Sequence, residues 1–157
     1  MLGIGGILFC KVRVELIMDE KIKLYYELKD AVEKQTIIVS FKKKDGDMRV
    51  MIGTRNMDTV NKVCGKDLLR MLYGFDKRAN AENRNIPVVD LAIGEVRTFS
   101  IDRMQGYQLL GELNDQTIPL AFEHYGKVTN FVQEQVEKLK SAQSSGEVAD
   151  GLISNVK

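Results

Sequence analysis

The segment Lys42-Lys43-Lys44-Asp45-Gly46-Asp47 separates two apolar runs, residues 37–41 and Met48–Thr54, and it constrains the fold more than any other stretch. Asp-Gly between such runs predicts a β-hairpin, because both turn residues tolerate positive φ and so match the twist of the strands. The first run, Ile37-Ile38-Val39-Ser40-Phe41, is β-branched and aromatic. In the second, Met48, Val50 and Ile52 alternate onto one face. Three lysines at the start of the turn concentrate positive charge on its tip.

The 157 residues carry 29% charged side chains and fit one domain with a real core. Net charge is only +1, but it is unevenly spread. Between Lys42 and Arg84 there are eleven basic and six acidic residues, whereas acids dominate from Asn85 onward. A basic middle suits a nucleic-acid or acidic-protein partner, and it equally suits a solvated loop. Cys10 and Cys64 offer neither a disulfide framework nor metal-ligand spacing. They read as buried free thiols in a reducing cytoplasm.

Residues 1–17 stand apart. Their apolar run, 2–10, is too short to span a bilayer and lacks the basic flank of a secretory signal. They read as an added strand or an upstream extension, with Met18 a candidate start. A single domain is expected over 18–141 and a frayed tail over 142–157.

From Met18 the pattern is regular. Asp19 and Glu20 suit a helix N-terminus, and Ile22, Tyr25, Leu28 and Val32 repeat at helical spacing. After the hairpin, residues 55–86 read as a helical excursion capped by Asp58 or Thr59, divided at Gly65 and ended at Gly74. The polar stretch 76–85 is expected to bury almost nothing. Pro87 opens a strand through Leu91, Gly94-Glu95 turns the chain, and 96–101 forms another strand. Residues 102–113 are ambiguous, because Gly106 and Gly111 weaken any helix there. Residues 119–122 are short and apolar, and 125–141 is an amphipathic helix striped by Val128, Phe131, Val132, Val136 and Leu139. That stripe suits cover for the sheet or a dimer seam.

No residue pattern supports catalysis, a cofactor or a metal. His124 is the single histidine, with no second ligand at metal spacing, and reads as a surface or capping residue. Gly3-Ile4-Gly5-Gly6 lacks the spacing of a dinucleotide loop, and no nucleophile or phosphate-loop motif occurs. Asp90 and Asp102 read as hydrogen-bonded turn residues. Of the Tyr25-Tyr26 pair, Tyr25 belongs to the helical stripe, which leaves Tyr26 as weak stacking surface.

Residues 40–46 with 49–54 resemble the first hairpin of a family of small SH3-like β-barrel proteins, encoded largely by tailed phages and mostly without assigned function. Val88-Val89-Asp90-Leu91 followed by Val96-Arg97-Thr98-Phe99-Ser100-Ile101-Asp102 is similar to that family's second half. This chain differs in a longer excursion between the blocks, in Val89 where an aromatic is frequent, and in its flanking helices. The resemblance implies an α+β domain: a small SH3-like barrel flanked by an N-terminal and a C-terminal amphipathic helix, with a helical insertion between strands. It also implies a phage protein acting in the host cytoplasm and binding nucleic acid or protein.

Lys42, Lys43, Lys44, Arg49, Arg55, Lys77, Arg78 and Arg84 are then the candidate contacts to duplex DNA, through phosphates. Little aromatic interleaving accompanies them, which disfavours single-strand stacking. The competing class is a module that binds and modulates a host protein such as a transcription or defence factor. No membrane association is expected.

Overall fold

The computed structural model describes residues 17–79 and 82–145. The expectations for residues 1–16, for Cys10 and for the tail beyond Ser145 fall outside these. The elements run α1 (Met18–Ala31), β1 (Ile37–Lys42), β2 (Met48–Thr54), α2 (Met57–Cys64), α3 (Leu69–Asp76), β3 (Asn85–Asp90), β4 (Glu95–Ser100), β5 (Met104–Leu109) and α4 (Thr117–Ser145). All pairings are antiparallel, in the order β4-β3-β2-β1-β5.

The connectivity forces this sheet to curl. β4 and β5 lie at opposite ends of the order, yet only the 3-10 turn Ile101–Arg103 separates them. From Ser100 to Met104 the chain can reach at most about 14 Å, whereas the outer strands of a flat five-stranded sheet would stand about 19 Å apart. The sheet therefore bends towards closure as a small barrel, with helices packed on it.

Both faces of the sheet are buried. On one, Tyr25 and Leu28 of α1 and Val32 just after it pack with Ile37, Val39, Met51, Ile86, Val88 and Phe99. On the other, Ile38, Ile52 and Val89 meet Val60 of α2, Leu72 of α3 and Ala121 of α4. Strand alternation explains the division, since neighbouring residues in β1 and β2 point to opposite sides. Ile22, placed in the α1 stripe by its spacing, stays 39% exposed, because the sheet contacts begin at Leu24 and Tyr25.

The lysine turn forms a hairpin of a different type from the one expected. Gly46 alone has positive φ, at 93°. Its N–H donates to the Lys43 carbonyl at 2.9 Å, and the Lys43 N–H donates to the Asp47 carbonyl at 2.7 Å. This is a three-residue loop, a turn followed by a left-handed glycine. Asp45 keeps negative φ and its carboxylate accepts from the Asp47 N–H at 2.9 Å, which locks the turn locally.

Three further expectations change. Asn56, rather than Asp58 or Thr59, caps α2, accepting from the Asp58 and Thr59 N–H groups. Gly65, at φ 68°, does end α2, but α3 runs past Gly74 to Asp76. The ambiguous region holds β5, which pairs with β1 and places Gly106 opposite Ser40 beside a register shift. α4 begins eight residues before the expected helix. Asn114 turns the chain into it by accepting from the Gln116 and Thr117 N–H groups, and Pro119 falls in the first turn, where a missing N–H costs nothing.

Candidate nucleic-acid interface

The fold separates the eight basic candidates into two groups. Lys42, Lys43 and Lys44 sit at the tip and base of the β1–β2 hairpin, with Arg49 returning opposite Phe41. Lys42 and Lys44 are exposed. Lys43 has a loose pairing with Asp45 at 3.6 Å. Arg55 lies past the far end of β2, about 20 Å away by strand rise. Arg84 precedes β3 and is carried by the curl of the sheet onto Asp102 in the turn between β4 and β5. The hairpin lysines and Arg55 therefore stand at opposite ends of β2.

Arg55 and Arg84 are structural cations. The Arg55 side chain is only 11% exposed. Its Nε donates to Glu33 at 2.7 Å, Nη1 and Nη2 fork onto Asp76 at 2.9 Å each, and Nη1 also donates to the Pro87 carbonyl at 3.0 Å. One guanidinium therefore ties the region after α1 to the end of α3 and to β3. Arg84, the one non-glycine residue with positive φ among those described, forks onto Asp102 at 2.7 and 2.8 Å. That guanidinium holds the Asp102 carboxyl below the usual carboxylate range. The expectation that 76–85 buries almost nothing fails on Arg84 and Asp76. Lys77 and Arg78 remain exposed after α3, with the Arg78 guanidinium 4.7 Å from the centre of the Phe75 ring.

Arg103 joins the hairpin group and was invisible in the sequence. Phe41 pairs with Met104, so the next residues outward on the two strands are Lys42 and Arg103. Arg103 is exposed and makes no ion pair among the described residues. Finding it required recognising β5, which has no β-branched residue and carries an internal glycine. Lys42, Lys43, Lys44 and Arg103 thus share one end of the sheet with the turn carboxylates Asp45 and Asp47, whereas Arg49, paired with Phe41, lies on the opposite face from Lys42.

The other chemically interesting groups are engaged in the fold. His124 is half-buried, and its Nε2 meets the Oε1 of buried Gln108, which corrects the reading of it as a surface or capping residue. Asp90 is the expected turn aspartate, accepting from the Ala92 N–H at 3.0 Å. Its burial pushes its carboxyl up, while Arg49 opposes that shift electrostatically. Burial likewise raises the half-buried Cys64 thiol, so it is held protonated rather than activated. No helix is long and apolar enough to cross a membrane, and no group of three or more His, Cys, Asp or Glu gathers as a metal site, both among the described residues.

A family model described as WYL_2, Sm-like SH3 beta-barrel fold, matches residues 25–105. The chain belongs to the WYL_2 family. Its match spans more than half of the chain, from Tyr25 on α1 to Gln105 in β5, and so contains the lysine hairpin, the helical excursion and the Arg55 clamp. In this WYL_2 protein α4 lies wholly outside the matched span. Neither the curated proteins nor the solved structures give a match. Family membership accords with the α+β barrel read from the two sequence blocks.

Proposed function

We propose that this WYL_2 protein is a non-catalytic module that binds the phosphate backbone of duplex DNA through the β1–β2 hairpin. The observation carrying this reading is the gathering of Lys42, Lys43, Lys44 and Arg103 at an exposed turn held by its own hydrogen bonds, with Arg49 on the other face of the returning strand. A rigid cationic tip loses little entropy on binding and releases counterions from phosphates, giving binding that is sequence-tolerant and strongly salt-dependent. Arg55 and Arg84 drop out of the interface because carboxylates already saturate them. The resemblance of the strand blocks to phage-encoded barrels supports an action on nucleic acid inside an infected bacterial cell.

The test is anisotropy of labelled duplex DNA at low and moderate salt. Replacing Lys42, Lys43 and Lys44 together by Ala should weaken binding and reduce the salt slope by roughly 2–3 units. No binding at low salt, or an unchanged slope, would refute the reading.

A second reading rests on α4. Its first half seats Ala121, Phe122, Tyr125 and Val128 on the sheet. Further along, Phe131 is 61% and Leu139 64% exposed. Such a stripe on a 29-residue helix favours a protein partner, such as a host transcription or defence factor. Retention of a stoichiometric protein after nuclease treatment, lost on Phe131→Ser, would support it.

A further inference from the structure

Beyond Val128 the last helix leaves the sheet. Ile118, Ala121, Phe122, Tyr125 and Val128 belong to the core cluster under α4, whereas no described residue after Val128 belongs to either cluster. The overhang, residues 129–145, is about 25 Å long at the rise of an α-helix. A helix of that length is marginal in water unless one of its faces is packed.

The face that seats on the sheet continues along the overhang. From Tyr125, the positions Val128, Val132, Gln135, Leu139 and Ala142 follow at alternating steps of three and four residues, which keeps them in one stripe. The charged residues of the overhang, Glu134, Glu137, Lys138 and Lys140, all lie off that stripe. Leu139 on the stripe is 64% exposed, and Phe131 at its margin 61%. A charge-free stripe in heptad spacing is what two helices bury against each other.

We propose that the overhang is the seam of a homodimer, covered by the same overhang of a second copy running antiparallel. Two features select that occupant and that direction. The stripe begins under the chain's own sheet. In a parallel pair both sheets would fall between the helices at one level and hold them apart, whereas in an antiparallel pair they lie at opposite ends of the seam. Charge order is the second feature, since Glu134 and Lys138 share one flank of the stripe. Laid antiparallel on itself, the overhang has its twofold axis at Glu137, and each Glu134 stands about 3 Å along the helix from the level of the second copy's Lys138. A parallel pair would set Glu134 level with Glu134 and Lys138 level with Lys138. In the antiparallel register Val132 faces Ala142 of the second copy, and Gln135 faces its Leu139. The contact is isologous and closes at two copies. Its short length places it at the weak end of specific interfaces, so the chain is monomeric when dilute and pairs on the order of 10–100 μM. The surface is that of the second reading above with a different occupant, and duplex binding by the hairpin does not enter the argument.

The experiment is analytical ultracentrifugation of the purified full chain from about 1 to 500 μM, a range that brackets such a dissociation constant. The mass should rise from one copy to two. Leu139→Glu should raise the dissociation constant about tenfold or more by placing a charge in the seam. Gln135→Leu should lower it by a similar factor, because it replaces the polar residue of the stripe. Both positions are exposed in the single chain, so circular dichroism of the dilute variants should match the parent. Oxidising a mixture of Gln135→Cys and Leu139→Cys chains should give a disulfide between the two variants, identified by peptide mapping. A chain that stays at one copy throughout overturns the proposal and leaves the stripe to a foreign protein. A dimer that Leu139→Glu does not weaken also overturns it. So does a disulfide joining two Gln135→Cys chains in preference to the mixed pair, the signature of parallel helices.

Discussion

Replacing Arg55 by Ala separates a structural cation from a contact residue. The variant loses the fork onto Asp76, the bond to Glu33 and the bond to the Pro87 carbonyl. Hydrogen bonds to charged groups contribute about 1.5–3 kcal/mol each when buried. Here the carboxylates rehydrate once released, since Glu33 is 52% and Asp76 35% exposed, so the Glu33 bond contributes little. The remaining loss is the forked pair and the stranded carbonyl, about 2–3 kcal/mol in total. For a domain of this size that lowers Tm by roughly 5–10 °C. Urea unfolding followed by circular dichroism should show a lower midpoint at unchanged slope. Arg55→Lys should recover less than half, because an ammonium cannot fork. Duplex DNA affinity measured on the folded variant should keep the parental salt slope. Stability within about 0.5 kcal/mol of the parent would refute the clamp, and a slope reduced by about one unit would return Arg55 to the interface.

Gly53→Ala should destabilise by about 1–3 kcal/mol, since the new Cβ would stand 2.7 Å from Val88 Cγ2 and 3.3 Å from the Val89 carbonyl oxygen; an unchanged melting curve would show that β2 and β3 yield there. Carboxyl titration by NMR should find Asp90 above and Asp102 below the ordinary carboxylate range. Through Asp90, stability falls as pH rises from that range past its raised midpoint. Through Asp102, stability is present above the range and is lost as pH drops through the lowered midpoint. Arg84→Met should move only Asp102 back towards the ordinary value, and a parallel shift of Asp90 would contradict separate origins for the two displacements. Leu139→Ala should change stability by less than about 0.5 kcal/mol, whereas Tyr125→Ala, on the seated part of the same helix, should cost several times more; equal losses would mean that α4 is packed along its whole length.

The hairpin and the 3.6-residue stripe of α1 were readable because each places its apolar residues at a period set by local geometry. β2 was legible to the residue, since Met48, Val50 and Ile52 alternate and Gly53-Thr54 follows. β5 was not, because Met104-Gln105-Gly106-Tyr107-Gln108-Leu109 owes its conformation to a register with β1 that lies more than sixty residues away in sequence. The site was legible as charge and illegible as geometry. Lys42 to Lys44 are contiguous and stay together, whereas Arg55 and Arg84 looked like free cations until folding brought Asp76 and Asp102 to them. Tyr26, on α1, looked like a minor surface residue because Asn85 to Pro87, beside it in the fold, arrive from β3.

The three-residue turn between β4 and β5 also governs how this sheet presents its edges. Unpaired strand edges invite addition of a foreign strand and, through it, aggregation. Here the two edge strands are tethered at one end by Ile101–Arg103, so their free backbone groups converge there rather than facing outward on opposite flanks. A strand seeking that seam would have to part a joint whose tether cannot lengthen. Arg84 forks onto Asp102 within the same turn, adding a second fastening to it. Insertions are consequently better tolerated in the α2–α3 excursion than in these three residues, and the chain places its length accordingly.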